Sequence, residues 1–324
     1  MRLASSLFVA MCIASQLRAQ MTGTVLVANQ QSASATIVDV ATKNAVTLDV
    51  GTGPHEAVIS PDGRWGVVTI YGLQTPGNQV AIIDLAAKKV VRTIDLGEYK
   101  RPHGAAFIAG SSSNLVVTSE ATQNVILVNI AEGRVLGAIT TNRPGSHMLG
   151  VTRDGARLWT SDVSFGGISE IDLANKKFVR DLAVAPATEG IAVTPDGSAV
   201  WVGSNQAGTV SIVDTKTWTV ATTLPNLGMP YRIAISPDGS LAAVCDPRGD
   251  RVIVVDGRTR SVLGEVASLG SPRGVIIAPD NRTAYVTLGR DNAVVGVDLI
   301  SRREVWRSPV GTSPDGVGFG RLPQ

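Results

Sequence analysis

The sequence predicts an all-β fold, a seven-bladed β-propeller with four antiparallel strands in each blade, on three observations. First, the turn tetrapeptide SPDG and its variants TRDG, TPDG and APDN recur at a blade-sized interval of 42 residues. The aspartates that mark this interval are Asp154, Asp196, Asp238 and Asp280. Second, each turn is followed by two β-rich runs. Third, the two ends of the chain hold complementary parts of one further unit. Four short strands in about 42 to 45 residues are typical of a propeller blade.

Within each unit the strands follow in a fixed order. The first strand precedes the turn, and a run such as WGVVTIYG, directly after the SPDG at 60 to 63, supplies the second. A longer run, QVAIIDLAAKKVVRTIDLG in the first unit, reads as strand, polar turn and strand, with about five residues in each strand. Six complete units begin near Gly53, Tyr99, Arg143, Ala187, Met229 and Ser271. We expect almost no helix, because no sustained 3.6-residue periodicity follows residue 19.

The chain ends predict how the ring closes. The segment GTVLVANQQSASATIVDVATKNAVTLDVG contains the last three strands of a unit, and the C-terminal TSPDGVGFG supplies only a first strand. A seventh blade shared between the N- and C-termini would close the ring by hydrogen bonds and leave no open sheet edge. The SPDG at 313 to 316 then precedes a first strand, so that Asp315 corresponds to Arg273 and not to Asp280.

The first 19 residues predict a signal peptide. They contain Arg2, an apolar run from Leu7 to Ala14 and a small residue, Ala19, at a suitable cleavage position. The apolar run is too short to span a bilayer and no later run is longer, so we expect export and no membrane span. The predicted mature protein is a single domain, residues 20–324, that is periplasmic or secreted.

The charge balance argues against a nucleic-acid partner. The chain has 29 basic and 27 acidic residues, and cleavage after Ala19 would remove Arg2 and Arg18, which leaves 27 of each. Binding to nucleic acid or anionic lipid needs clustered positive charge, and neither partner is expected here. Cys245, the one cysteine of the predicted mature chain, lies in an apolar run and is expected to be a small buried residue.

The repeated runs resemble a known family. The stretches AYVTLG, VWVGSN and VLVAN, joined to SPDG turns and VxVxD strands, are similar to the YVTN family of seven-bladed β-propellers over essentially the whole predicted mature chain. The resemblance implies the fold. It leaves the function open, because such propellers include surface-layer and periplasmic binding proteins, and their relatives include lactone-processing enzymes and metal or haem carriers.

One aligned position collects all three histidines of the protein. It lies where the chain enters each first strand, in GPHEAV, RPHGAA and GSHMLG and their equivalents. Around the seven blades this position holds His55, His103, His147, Glu189, Tyr231, Arg273 and Asp315. In propellers this connection and the loop between the second and third strands surround one mouth of the central channel, where Glu120 and Asp162 would also lie. The sequence therefore predicts a polar ring at that mouth.

Two chemistries fit such a ring. His55, His103 and His147, with Glu189 next to them, could bind a zinc or copper ion with an open coordination position. Alternatively, a histidine could act as general acid or base, with Glu189 orienting it and Arg232 or Arg273 holding a carboxylate, to open a lactone or catalyse an elimination. The resemblance implies that second use, since lactone-processing propellers place His, Glu and Arg in the channel. No residue is assigned a catalytic role.

Three functions therefore remain open. The first is binding of a small ligand or a divalent metal at the mouth, the second is a lactonase- or lyase-type enzyme, and the third is a scaffold for a protein partner. The residues expected to bind are His55, His103, His147, Glu189, Tyr231, Arg232, Arg273, Asp315, Glu120 and Asp162. For Glu120 and Asp162, and for Asp246 in an equivalent loop, the competing expectation is that each carboxylate caps its own loop.

Overall fold

The residues at positions 21–267 and 269–323 are described by a computed structural model. Within those two ranges every regular element is a strand, as the sequence predicts, and no helix there is long and apolar enough to cross a membrane. The predicted signal peptide, residues 1–19, lies outside the described residues.

The described chain forms 28 strands in seven four-stranded antiparallel sheets, which we number as blades. Blade 1 contains β4 (Pro54–Ile59), β5 (Trp65–Gly72), β6 (Pro76–Asp84) and β7 (Lys89–Asp95). Blade 2 contains β8 (Pro102–Phe107), β9 (Asn114–Ser119), β10 (Asn124–Asn129) and β11 (Arg134–Thr140). Blade 3 contains β12 (Ser146–Val151), β13 (Arg157–Asp162), β14 (Gly167–Asp172) and β15 (Lys177–Ala183). Blade 4 contains β16 (Thr188–Val193), β17 (Ala199–Ser204), β18 (Thr209–Asp214) and β19 (Thr219–Leu224).

The remaining blades follow the same plan. Blade 5 contains β20 (Arg232–Ile235), β21 (Leu241–Asp246), β22 (Arg251–Asp256) and β23 (Val262–Ala267). Blade 6 contains β24 (Pro272–Ile277), β25 (Thr283–Leu288), β26 (Ala293–Asp298) and β27 (Arg303–Pro309). Blade 7 joins β28 (Pro314–Gly320) to β1 (Thr24–Asn29), β2 (Ser34–Asp39) and β3 (Ala45–Asp49). The six predicted starts of complete blades each fall within three residues of the first strand that the structure shows.

The inner strands make the ring. Each of them contacts the inner strands of the two neighbouring blades, and the circuit closes between β28 and β4. In blade 7 the C-terminal β28 pairs antiparallel with the N-terminal β1, with Val317 opposite Val27 and Gly320 opposite Thr24. Asp315 therefore lies in a first strand, and the predicted correspondence with Arg273 is confirmed.

The SPDG turns are held by their aspartates. In blade 1, Asp62 Oδ1 accepts hydrogen bonds from the Ser60 hydroxyl at 2.5 Å and from the Arg64 backbone N–H at 3.1 Å. Because their side chains form such short-range hydrogen bonds, Asp and Ser favour a turn over continuation of the strand. The turns join first to second strands, so the antiparallel topology puts them on the face of the ring opposite to the mouth.

The core lies between the blades. Second and third strands such as β25 and β26 are buried along their whole length, because each blade is covered on both faces by its neighbours. Outer strands such as β3 alternate between exposed and half-buried residues, as a strand with one solvated face must. Trp159 of blade 3 illustrates the contact, since it packs with Ile191 and Val202 of blade 4. Packing of this kind between neighbouring blades repeats around the ring and holds the inner strands in place around the channel.

Candidate functional site

A tight turn presents the histidine position at the mouth. In six blades the residue two places before it has a left-handed backbone, with φ of 57° at Arg101 and 80° at Gly145, for example. Its carbonyl oxygen accepts the N–H of the residue after the second strand, as Arg101 does from Glu120 at 3.1 Å. The turn thus ties the loop between the second and third strands to the start of the inner strand, and it brings Glu120 to the same rim as His103.

A β-bulge then turns two consecutive side chains toward the channel. In blade 1, Pro54 pairs with Ile70 and Ala57 with Val68, so His55 and Glu56 together oppose the single residue Thr69. A bulge of this kind breaks the alternation of faces along a strand. The same shift occurs at the corresponding place in blades 2, 3, 4, 6 and 7. Residues at the histidine position and at the position after it can therefore both lie at the mouth.

The hydroxyl opposite the bulge holds neighbouring blades together. Ser161 Oγ accepts the N–H of Met148 in its own blade at 3.2 Å and donates to the carbonyl of Glu189 in the next blade at 2.6 Å. Thr287 does the same, accepting from Gly274 at 2.8 Å and donating to the Asp315 carbonyl at 2.5 Å. The Ser or Thr of the repeated second strand thus fixes where the next mouth residue lies.

The three histidines meet in what we call the imidazole cluster, which consists of His55, His103 and His147. The ring centroids of His55 and His103 are 4.0 Å apart, and those of His103 and His147 are 3.7 Å apart. All three residues are buried, and His103 is completely inaccessible to solvent. Neither ring nitrogen of His103, nor Nδ1 of His55, has a hydrogen-bond partner in the described part of the chain.

Beside the cluster runs a sequence of buried ion pairs, which we call the ion-pair chain: Glu120, His147, Glu189, Arg232 and Glu56. His147 Nδ1 is 2.8 Å from Glu120 Oε2, and its Nε2 is 2.6 Å from Glu189 Oε1. Arg232 donates to Glu189 at 2.8 Å and to Glu56 at 2.7 Å. Because Arg232 belongs to blade 5 and Glu56 to blade 1, this last pair crosses the channel.

The ion-pair chain gives the neighbouring imidazoles of His147 and His103 different charge states. Burial alone would lower the pKa of His147, but the carboxylates of Glu189 and Glu120 outweigh it and raise the pKa to about 9. Burial would raise the pKa of Glu189, yet His147 and Arg232 lower it to about 2. His103 has no carboxylate partner, so burial and then the charge of His147 hold its pKa well below the ordinary value. At neutral pH His147 is a cation and His103 is neutral.

Four further side chains complete the mouth. Tyr71, at the end of β5, donates to Glu120 at 3.2 Å, and its ring lies edge-on to His103 at 5.3 Å. Tyr231 donates to Asp315 at 3.3 Å, and Asp315 Oδ2 lies 3.7 Å from His55 Nδ1. Arg273 reaches the rim, 4.0 Å from Asp315, and donates to the Ser313 hydroxyl. Burial and then the charge of Asp315 raise the pKa of Tyr231 well above its ordinary range, so its hydroxyl stays protonated.

Not every predicted residue joins this group. The Asp162 carboxylate accepts hydrogen bonds from Thr160 and Ser169 of its own blade, and burial raises its pKa to about 7. Asp246 accepts from the backbone N–H groups of Met229 and Gly249. The loop-capping expectation thus describes Asp246, which bonds to Gly249 of its own loop, whereas Asp162 bonds to strand residues of its own blade and Glu120 turns toward His147.

Two residues of the site were missed by reasoning from the sequence. Glu56 was passed over although a signal existed at the position after the histidines. That position holds Glu56, Gly104, Met148, Gly190, Arg232, Gly274 and Gly316. A glutamate and an arginine among mostly glycines stand out, and these two pair across the channel. Tyr71 was missed because only the structure shows that β5 and β6 extend beyond the second and third strands of the other blades.

The extended hairpin of blade 1 forms one side of a cleft of about 970 Å³. Tyr71 and Arg101 line it, together with Gln30, Gln74 and Gln79. The Arg101 guanidinium stacks over the Tyr71 ring, 4.6 Å from its centroid. The volume of the cleft falls within the usual range of small-molecule sites, and Tyr71 separates the cleft from the imidazole cluster.

Two sets of potential metal ligands overlap in the cluster. One is His55, Glu56 and His103, and the other is His103, Glu120 and His147; within each set the ligand atoms lie within 4.8 Å of one another. Glu189, which the sequence suggested as a ligand, is in neither set and instead bonds to the far nitrogen of His147. Arg232 is occupied by two carboxylates, which removes it from the role of holding a substrate carboxylate.

Fold and mouth together define a seven-bladed β-propeller with a channel lined by imidazoles and carboxylates. Residues 181–321 match a family profile described as YNCE-like beta-propeller, a match that covers less than half of the chain. A solved chain of Kuenenia stuttgartiensis hydrazine synthase is similar over 89% of this chain and 99% of its own, with a TM-score of 0.75 and 18% identity. At that identity the similarity shows the fold alone. Among curated proteins, none matches the sequence.

The pKa of His147 predicts a pH dependence of stability for the metal-free protein. Its folded-state pKa of about 9 exceeds the unfolded value of about 6.5, so its proton stabilises the fold fully below pH 6.5. That stabilisation, on the order of 3 kcal/mol, is lost as the pH rises through 9. We expect urea denaturation with a chelator present to show falling stability between pH 6.5 and 9. His147→Gln should flatten the curve in this window, and identical curves for the two proteins would refute the assignment.

The position of Arg232 predicts a large loss of stability on its removal. Arg232→Met would leave Glu56 and Glu189 buried without their cation, which costs about 3–5 kcal/mol for a broken buried pair. Urea denaturation should show this loss, and the double variant Glu56→Gln/Arg232→Met should recover part of it. Arg290→Met, at an exposed arginine 2.8 Å from Asp250, is the control and should change stability little. Equal effects of Arg232→Met and Arg290→Met would contradict the ion-pair chain.

Proposed function

We propose that this protein binds a divalent transition-metal ion, zinc or copper, at the imidazole cluster. The observation that carries the proposal is His103, a buried imidazole with two unpartnered nitrogens that lies between two other imidazoles and within 4.8 Å of ligand atoms from carboxylates. A buried polar group without a partner costs about 1–3 kcal/mol, so such groups call for an occupant. Imidazole nitrogen and carboxylate oxygen are ligands that zinc and copper accept.

The charges of the mouth support a cation there. Four buried or half-buried carboxylates, those of Glu56, Glu120, Glu189 and Asp315, face Arg232 and the protonated His147. Among the described residues two further cations lie farther out: Arg273 at the rim, 4.0 Å from Asp315, and Arg101, which stacks on the Tyr71 ring. An excess of carboxylates in a buried site is unfavourable without a counter-ion, and a divalent cation would supply one.

The ligands of a single ion can be named from the contacts. In the set of His55, Glu56 and His103, Nδ1 of His55 and both nitrogens of His103 have no hydrogen-bond partner among the described residues. An ion there displaces no ion pair of His147. Glu56 Oε1 bonds to Arg232, which orients the carboxylate as outer-shell partners of metal sites do. A small organic molecule could bind in the neighbouring cleft, against Tyr71. The predicted small-ligand function is therefore compatible with a bound metal.

The metal proposal is tested on protein made without a histidine tag and dialysed against a chelator. Titration calorimetry with Zn²⁺ and with Cu²⁺ should show saturable binding, and His103→Gln should weaken it by roughly a hundredfold, about 2.7 kcal/mol. Asp162→Asn is the matched control, because the buried Asp162 carboxylate lies at the mouth end of blade 3 but belongs to neither ligand set. It should bind as the unaltered protein does.

Other outcomes would favour the alternatives. A protein that binds neither ion but opens lactones, and loses this activity in His147→Ala, would support the lactonase-type enzyme. A protein with neither property would contradict both functions and favour the scaffold for a protein partner.

We also propose that the protein is exported to the periplasm or secreted. The support is the sequence of residues 1–19 alone, with its early arginine, short apolar run and small residue at the cleavage position. N-terminal sequencing of the protein from its native host should give a chain that begins at Gln20. A chain that still begins at Met1 and remains in the cytoplasmic fraction would overturn the proposal.

A further inference from the structure

The two ligand sets share one residue. His103 belongs both to the set with His55 and Glu56 and to the set with Glu120 and His147. It lies between the other two imidazoles, with ring centroids 4.0 Å and 3.7 Å away. Each set therefore offers two imidazoles and one carboxylate from three different side chains, and His103 is the only residue common to them.

A single ion would leave half of His103 unsatisfied. An imidazole has two nitrogens, and an ion in either set uses one of them. The other nitrogen stays buried, since His103 is fully inaccessible and its surroundings among the described residues offer it no hydrogen bond. Its neighbours are the rings of His55 and His147 and the edge-on ring of Tyr71. Two ions, one in each set, would satisfy both nitrogens if each ion bound a different one.

We propose that the mouth binds two divalent transition-metal ions bridged by the imidazolate of His103, an inference that rests on the proposed metal-binding function. The first ion is held by His55, Glu56 and His103, and the second by His103, Glu120 and His147. Ligand atoms around a tetrahedral ion at 2.0–2.2 Å are about 3.4 Å apart. The ligand atoms of each set lie within 4.8 Å of one another, so binding would require them to approach by up to about 1.4 Å.

Glu189 and Arg232 act as positioning residues for the second ion. Glu189 Oε1 is 2.6 Å from His147 Nε2, so the ion binds the other nitrogen, Nδ1, which faces Glu120 at 2.8 Å. The pair of Glu189 and His147 then has the form of a carboxylate–histidine–metal triad, in which the carboxylate fixes the ring orientation. Arg232 holds Glu189 in place through its bond at 2.8 Å.

Protons and charges balance in both steps. The first ion takes a lone pair of neutral His103, displaces no proton and adds two positive charges beside the carboxylates of the mouth. The second ion replaces the remaining N–H proton of His103 and the Nδ1 proton of His147. These two protons leave to solvent, so two positive charges arrive and two depart. The second ion therefore leaves the net charge of this buried site unchanged, which avoids the cost of an added unpaired charge.

Copper tests the bridge directly, because Cu²⁺ ions joined by an imidazolate couple antiferromagnetically. We expect titration calorimetry of the metal-free protein to show two equivalents of Cu²⁺ bound. Electron paramagnetic resonance should give one full spin after the first equivalent and a loss of integrated intensity after the second. Asp162→Asn, the control, should behave in the same way.

Variants separate the two sets. Glu120→Gln should bind one Cu²⁺ tightly, with a full and uncoupled spin, because only the second set has lost a ligand. His103→Gln should show no coupling at any loading, with circular dichroism to verify that it folds. Two bound ions with additive spin intensity would overturn the bridge. Binding that stops at one ion would overturn the second site and leave the metal-binding function intact, whereas absence of any copper binding would overturn both.

Discussion

The close approach of seven inner strands around one axis is the constraint on which the mouth depends. Glycine occupies four of the seven places that directly follow the histidine position, and a larger residue does not fit there. A Cβ at Gly274, for example, would lie 2.1 Å from the Asp315 carbonyl oxygen. At Gly316 it would lie 2.4 Å from the Cα of Glu56. The channel therefore has room for few large groups at this level, and Glu56 and Arg232 fill that room by pairing with each other. Close packing thus buries Glu56 and Arg232, while Glu120 and Arg273 are half-buried.

Burial then decides which charges persist. A carboxylate or guanidinium removed from water is tolerated when it is paired and hydrogen-bonded, which is the state of Glu56, Arg232 and Glu189. The same environment treats two adjacent imidazoles differently: His147 has carboxylates on both nitrogens and keeps a proton, while His103 has none and stays neutral. One imidazole is thus tied to its carboxylate neighbours, and the other offers free nitrogens. This division makes His103 the centre of the proposed metal chemistry.

Departures from the repeat carry the function. The bulge and the left-handed turn recur in six blades, and a hydroxyl opposite the bulge links blades 2, 3 and 6 to the next blade. This repeated scaffold presents seven side chains at the mouth in equivalent positions. The side chains themselves differ, with imidazoles in blades 1 to 3 and charged or phenolic groups in the rest. Blade 1 differs also in its backbone, since the longer β5 and β6 bring Tyr71 against Glu120 and form the cleft. A regular scaffold therefore holds an irregular site.

The sequence by itself determined the fold: strand runs, SPDG turns and complementary ends specify seven blades, because these signals are local and repeat at one interval. It also placed His55, His103 and His147 at one rim. Only the tertiary structure decided which groups touch. Asp162 is the last residue of β13 and bonds within its blade, whereas Glu120 is the first residue after β9 and bonds to His147. Glu189 supports an imidazole instead of joining a ligand set, and Glu56 meets Arg232, 176 positions away. Such contacts depend on side-chain directions across the ring, which no local pattern records.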